Sequence, residues 1–107
     1  MLSLKIFMTK QDIKENIRAS LEKNPYLDKI KKVSLFGSYL HGDKNDKSDI
    51  DLLVEFVDGV SYFDLFDIER AIAEDIGKKI DLVTPNALSK YFREDVFREA
   101  EKIYERQ

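Results

Sequence analysis

A strand–helix–strand pattern between residues 49 and 83 constrains the fold of this 107-residue chain more than any other feature of its sequence. Apolar and polar residues alternate over residues 49–56 and again over the shorter segment 79–83, which is the pattern of β-strands. Between them, apolar residues recur at helical spacing, starting after a capping Ser61 and ending before Gly77. Two strands joined by such a helix are typically parallel neighbours, so the pattern predicts a layered α/β domain.

Further helices are predicted on both sides of this unit. Thr9 and Asp12 form a capping-box pattern, and apolar residues at positions 13, 17 and 21 make one stripe of a helix that ends before Pro25. Thr84-Pro85 is a typical helix-starting pair, and apolar periodicity predicts a last helix over about residues 93–105.

One more strand completes the expected sheet. It covers residues 32–36 and ends at Gly37, its direction is left open, and the polar segment 39–48 is expected to be mostly loop. The expected fold class is therefore α/β (or α+β), with a small mixed three-stranded sheet flanked by helices in a single domain spanning residues 1–107.

Composition excludes several kinds of chemistry. The chain has no cysteine and one histidine, His41, so disulfides, thiolate metal sites and two-histidine metal sites are ruled out. No segment approaches the roughly 18 apolar residues of a membrane span or resembles a signal peptide, so we expect a cytoplasmic protein without membrane contact. Residues 33–77 carry 11 Asp or Glu against 3 Lys or Arg, so direct nucleic-acid binding is not expected.

Three carboxylates are predicted to lie close together. Asp49 and Asp51 share one face of their strand because side chains alternate along it. Asp81 lies in the predicted neighbouring strand, and adjacent strands are about 5 Å apart. An acidic cluster of oxygen ligands suits Mg²⁺ or Mn²⁺ rather than zinc. Each carboxylate taken alone is more often an exposed strand residue.

Gly37-Ser38 follows a predicted buried strand and is the natural place for a phosphate. A glycine allows the backbone to approach a phosphate closely, and the serine adds a hydroxyl and an N–H donor. By itself, Gly-Ser is an ordinary strand-ending turn. Its significance depends on the acidic pair that follows.

Gly37-Ser38, ten intervening residues and then Asp49-Ile50-Asp51 resemble the signature of the DNA polymerase β-like nucleotidyltransferase superfamily. More narrowly, segments 35–42, 48–56 and 79–85 look like those of the minimal nucleotidyltransferases (MNT), and the resemblance extends over about residues 30–105. It implies the nucleotidyltransferase fold and the transfer of a nucleoside monophosphate from a nucleoside triphosphate such as ATP, with release of pyrophosphate.

The resemblance also implies a role for each motif residue. Three carboxylates would be catalytic and would hold two Mg²⁺ ions, or Mn²⁺, over the triphosphate: Asp49, Asp51 and Asp81. One of them, Asp81, would also help to deprotonate the attacking hydroxyl. Three further residues would bind the nucleotide: Gly37, Ser38 and Ser48.

The chain departs from the family pattern at His41, where members often carry arginine. A histidine is only partly charged near neutral pH, so it would assist the phosphates less than arginine would. Lys44 and Lys47 are nearby alternatives for this positive charge. The alternative interpretation is that His41 is an ordinary loop residue in water.

Stand-alone MNT chains resemble MntA-type antitoxins, whose partner is a HEPN-domain RNase toxin. The resemblance implies transfer of AMP from ATP to a tyrosine hydroxyl of such a toxin, which would neutralise it. Two alternatives stay open: an antitoxin that acts by docking alone, and a transferase that modifies a small molecule such as an antibiotic. A template-directed polymerase is disfavoured because the chain has no basic nucleic-acid channel.

Five aromatic residues are candidates for docking a partner. They precede or begin two of the predicted helices: Tyr62, Phe63, Phe66, Tyr91 and Phe92. For Phe63 and Phe66 we expect burial in the core instead, because large aromatic side chains on a small domain usually supply core packing.

Overall fold

The computed structural model describes residues 9–41, 49–57 and 59–107, without the side chains of Ser38 and His41. Within these ranges lie four helices: α1 (Lys10–Glu22), α2 (Ser38–His41), α3 (Tyr62–Ile76) and α4 (Lys90–Glu99). The same ranges contain four strands: β1 (Ile30–Phe36), β2 (Ile50–Phe56), β3 (Ile80–Val83) and β4 (Glu101–Glu105). They form one mixed sheet in the order β3-β2-β1-β4.

The capping box predicted for α1 is confirmed. The Thr9 hydroxyl accepts a hydrogen bond from the Asp12 amide at 3.0 Å, and the Asp12 carboxylate accepts one from the Thr9 amide at 3.0 Å. These two bonds satisfy donors that would otherwise be unpaired at the helix start. The predicted apolar stripe, Ile13, Ile17 and Leu21, is completely buried.

Helix α3 also begins and ends where the sequence predicts. The Ser61 hydroxyl accepts a hydrogen bond from the Asp64 amide, and Gly77 closes the helix with φ +75°. This left-handed conformation suits glycine, which has no Cβ to clash with the backbone. Ile68 and Ile72 are fully buried on the side of α3 that faces the sheet.

Strand β2 is central to the part of the sheet that carries the acidic motif. It pairs in parallel with β3, as the helical crossover predicts, and antiparallel with β1. The register places Phe36 opposite Asp51 on one side, and Asp81 opposite Asp51 on the other. The direction of β1, which the sequence left open, is thereby settled.

The predictions of a three-stranded sheet and of a helix through residue 105 are wrong. Helix α4 ends at Glu99, Ala100 adopts an extended conformation, and β4 pairs antiparallel with β1. Without this pairing, β1 would be an edge strand with unpaired backbone groups. The start of the helix also differs: Thr84-Pro85 opens a short 3₁₀ turn, and α4 begins after the capping residue Ser89.

Apolar side chains pack on both faces of the sheet, in a larger cluster on one face and a smaller cluster on the other. On one face, α1 and α3 cover a core that includes Leu35, Leu52 and Leu82. On the other face, α4 contributes Val96 to a smaller cluster with Phe36 and Leu53. Within the described ranges, no helix is long and apolar enough to cross a bilayer.

Charged contacts join β4 to α1. Glu101 accepts hydrogen bonds from Lys10 at 2.7 Å and from Lys14 at 3.3 Å. The contact with Lys10, more than that with Lys14, holds the pKa of the Glu101 carboxyl below its ordinary value. The last strand is therefore fixed both by β1 and by the first helix.

Because residues 101–105 form a strand, mutations at successive positions should alternate between large and small effects on the free energy of unfolding. Ile103→Ala should lower the free energy of unfolding by about 2–4 kcal/mol, because Ile103 is only 6% exposed. Lys102→Ala, on the exposed side of β4, should change it by less than about 0.5 kcal/mol. Urea denaturation of both variants measures the difference, and equal losses would contradict the described packing.

Candidate active site

Strand directions bring Gly37, Asp51 and Asp81 to one end of the sheet. Strand β1 ends at Phe36, and the antiparallel β2 and its parallel neighbour β3 both begin at that same end. Gly37 therefore follows β1 next to the place where Asp51 and Asp81 enter their strands. The sequence motifs, which are separated by up to 44 positions, meet because of this pairing.

The closest contact in the site joins Gly37 to Asp51. Gly37 has φ +79° and turns the chain from β1 into α2. A Cβ atom built on Gly37 would lie 2.1 Å from Asp51 Oδ2, so only glycine leaves room for this carboxylate. The structure thus gives a steric reason for Gly37 in addition to the phosphate approach predicted from the sequence.

Asp51 is the electrostatic centre of the site. Burial, followed by the charges of Asp81 and Asp49, raises the pKa of the Asp51 carboxyl to about 6. Asp51 and Asp81 are direct partners in the β2–β3 pairing, where like charges destabilise the sheet. The charges of Asp81 and Asp49 therefore lie within electrostatic reach of Asp51.

A residue that the sequence analysis passed over also contacts the site. Lys79 Nζ lies 3.7 Å from Asp49 Oδ2, while its side chain stays 80% exposed. The backbone reinforces this neighbourhood, because the Ile50 amide donates to the Lys79 carbonyl. The sequence feature that could have identified Lys79 is its position two residues before Asp81, at the start of the predicted strand 79–83.

The carboxylates match a hard divalent cation in donor type. Carboxylate oxygens are the preferred protein ligands of Mg²⁺ and Mn²⁺, and a cation would relieve the repulsion that raises the pKa of Asp51. In the ranges that the structure describes, no three His, Asp or Glu side chains are already gathered closely enough to hold a metal ion. The donor chemistry therefore fits, while the ligand shell is not preassembled.

Several predicted residues lie wholly or partly outside the described residues. Ser48, Lys44 and Lys47 fall in the segment 42–48, and their predicted roles stay predictions. Ser38 directly follows Gly37 and begins α2, and His41 ends this helix. Their side chains are not described, so the predicted contributions of the Ser38 hydroxyl and the His41 imidazole also stay predictions.

The prediction that Phe63 and Phe66 belong to the core is wrong. Phe63 is 81% exposed and Phe66 is 60% exposed. The reason is helical geometry: the buried residues Ile68 and Ile72 define the inner face of α3, and both phenylalanines lie on the outer face.

Paired glycine variants test the contact with Asp51. Gly37 and Gly77 have nearly equal positive φ, but a Cβ on Gly77 would meet nothing within 4 Å. Gly77→Ala should therefore cost only the backbone strain of about 1–2 kcal/mol. Gly37→Ala should cost more and abolish nucleotide transfer, because the new methyl group displaces the Asp51 carboxylate. Thermal unfolding and a transfer assay measure both effects, and equal behaviour of the two variants would contradict the steric account.

Because the pKa of Asp51 is raised, Asp51→Asn should increase the melting temperature of chelator-treated protein by an amount that depends on pH. The unfolded carboxyl loses its proton near pH 4, whereas the folded one keeps it until about pH 6. Ionisation therefore destabilises the native state as pH rises through this window. The melting temperature of Asp51→Asn minus that of the wild type should rise between pH 4 and 7 and then stay level. A pH-independent difference would contradict the assigned electrostatics.

Comparisons with known proteins agree with this geometry. A sequence model of the family described as "Polymerase beta, Nucleotidyltransferase" matches residues 15–107. A candidate protein adenylyltransferase of Methanocaldococcus jannaschii is 37% identical over 71 residues, which are 66% of this chain and 76% of that protein.

Two solved structures show the same fold. A candidate minimal nucleotidyltransferase superposes with a TM-score of 0.73 at 30% identity, covering 87% of this chain and 94% of that one. A chain from the complex of a tri-AMPylated Shewanella oneidensis HEPN toxin with an MNT antitoxin superposes with a TM-score of 0.65. That match covers 92% of this chain and 74% of that one, and its 22% identity shows the fold alone. Together with the family match over residues 15–107, these likenesses show that the chain belongs to the polymerase β nucleotidyltransferase family.

Proposed function

We propose that this chain transfers AMP from ATP to a tyrosine hydroxyl of a HEPN-domain toxin and thereby neutralises it. The observation that carries the proposal is the placement of Asp51, which lies against Gly37 on one side and opposite Asp81 on the other. A glycine turn beside paired carboxylates is the arrangement that a metal–triphosphate complex requires.

The comparisons support AMP as the transferred group and a protein as its acceptor. The Methanocaldococcus jannaschii relative bears the name of an enzyme that adenylylates proteins. In the Shewanella oneidensis complex, the HEPN toxin carries AMP and its partner is an MNT antitoxin. The proposal extends both properties to this chain.

In the proposed reaction, the tyrosine oxygen attacks the α-phosphorus of ATP. A new bond forms between oxygen and α-phosphorus, the bond from α-phosphorus to the oxygen bridging to the β-phosphorus breaks, and pyrophosphate leaves. We assign the phenolic proton to Asp81, the most exposed of the three carboxylates. The backbone after β1, at Gly37 and Ser38, would hold the β- and γ-phosphates.

Asp49, Asp51 and Asp81 would hold two Mg²⁺ ions, whose positive charge offsets the negative charge that develops on the triphosphate. The ion pair with Lys79 places a positive charge beside Asp49, one of these carboxylates. Mn²⁺ prefers the same oxygen donors and should support the reaction as well.

The attached AMP would inactivate an RNase toxin by charge and bulk. A phosphodiester adds a negative charge near the surface where the toxin must bind polyanionic RNA, so like-charge repulsion opposes binding. Because ATP is the donor, the proposal places the reaction in the cytoplasm.

The proposal is tested with ATP labelled on its α-phosphate, Mg²⁺ and a purified HEPN-domain protein of the host organism. Wild-type protein should label the HEPN protein, and mass spectrometry should locate AMP on a tyrosine. Asp49→Ala/Asp51→Ala should lower labelling by at least about 100-fold, because that variant lacks two of the three carboxylates. Glu22→Ala serves as the matched control, since it removes an exposed carboxylate of α1.

Two results would contradict the proposal. If Asp49→Ala/Asp51→Ala neutralises the toxin as well as the wild type does, docking alone suffices. If the wild type labels no protein but transfers AMP to a small molecule, the chain is a small-molecule nucleotidyltransferase.

A further inference from the structure

Three aromatic side chains stand exposed on the outer face of α3. Tyr62 is 79% exposed, Phe63 is 81% exposed and Phe66 is 60% exposed. They are neighbours, because residues three and four apart on a helix lie side by side. Exposed aromatic groups of this density are typical of protein interfaces rather than of free surfaces.

A cavity of about 650 Å³ adjoins these aromatic residues. Its walls come from the far ends of β2 and β3, the start of α3 and the 3₁₀ turn after β3. Tyr62 and Leu65 belong to the lining, so the cavity and the exposed face of α3 form one continuous surface. We name this cavity, together with Tyr62, Phe63 and Phe66, the α3 surface.

The charge of the α3 surface is negative. Glu55 is the only charged residue among the described residues that line the cavity. The first two turns of α3 contain Asp64 and Asp67 but no lysine or arginine, whereas Glu69 turns inward and accepts a hydrogen bond from the Leu82 amide at 2.8 Å. Two basic residues lie nearby: Arg70 is paired with Asp67 at 2.9 Å, and Lys32 is the direct partner of Glu55 in the β1–β2 pairing. Acidic residues still outnumber basic ones, so the surface favours an occupant that combines apolar groups with positive charge.

We propose that the α3 surface docks the HEPN-domain partner, with an apolar side chain of that partner in the cavity and its Lys or Arg residues beside Glu55 and Asp64. This inference rests on the proposed function, because it takes the acceptor to be an RNase. An RNase that binds RNA needs a basic surface to replace counterions along the phosphate backbone. The acidic and aromatic character of the α3 surface is complementary to such a protein.

The α3 surface is separate from the candidate active site. The carboxylates lie where β2 begins, whereas Glu55 lies near its other end, about 13 Å further along the strand at 3.3 Å per residue. A docked partner would therefore have to extend along the molecule to bring its tyrosine to Asp81. Docking and transfer depend on different residues and can be disrupted separately.

The test measures the dissociation constant between this chain and a purified HEPN-domain protein of the host organism, by isothermal titration calorimetry. Phe63→Ser/Phe66→Ser should weaken binding by at least about tenfold, since exposed aromatic residues at interface centres supply much of the affinity. Glu55→Lys should weaken it further as the salt concentration falls, because it places like charges together. Phe97→Ser is the matched control: Phe97 is 45% exposed on α4, away from this surface, and its loss should leave binding unchanged.

Binding and labelling distinguish this inference from the proposed function. A wild type that binds the HEPN protein without labelling it, together with weak binding by Phe63→Ser/Phe66→Ser, would contradict the proposed transfer and support the docking surface. Labelling by the wild type with undiminished binding by Phe63→Ser/Phe66→Ser would overturn the docking surface alone. Light scattering supplies a further outcome: a wild-type dimer that becomes monomeric in Phe63→Ser/Phe66→Ser would assign the surface to a second copy and overturn the inference.

Discussion

The pairing of β2 with both of its neighbours is the constraint on which the site depends. Antiparallel pairing with β1 brings the turn at Gly37 to the start of β2, and parallel pairing with β3 places Asp81 opposite Asp51. A shift of one residue in either register would move Asp51 to the other face of the sheet. The apolar residues of β2 prevent this shift, because Ile50, Leu52 and Val54 must remain in the core with α1 and α3.

This arrangement fixes the position of carboxylates that repel one another. Asp51 is partly buried, and burial together with the charges of Asp81 and Asp49 raises its pKa, so the fold disfavours its ionisation. Such conflicts are common where function requires charge that folding alone would not place there. A bound cation would reverse the effect, since it attracts the ionised carboxylates that repel one another. Stability of the sheet and cation binding would thereby be linked through Asp51.

Local periodicity predicted much of the fold, and non-local contacts decided what it did not. The cap at Thr9, the end of α3 at Gly77 and the parallel crossover all follow from short-range patterns and are confirmed. Apolar residues at 96, 100 and 103 fit helical spacing, so local periodicity predicts a helix where strand β4 lies. Only the open edge of β1, which lies far away in sequence, selects the strand. The contact of Asp51 with Gly37 likewise requires the register of two strands, which the sequence does not display.

The central claim is that the end of the sheet at Gly37, Asp51 and Asp81 holds the metal–nucleotide complex. Anomalous diffraction from crystals of this chain grown with Mn²⁺ and a non-hydrolysable ATP analogue tests it most directly. The account predicts manganese peaks coordinated by Asp49, Asp51 and Asp81, with the β- and γ-phosphates at the turn after β1. Manganese or nucleotide bound instead in the cavity beside Glu55, at the other end of β2, would contradict it.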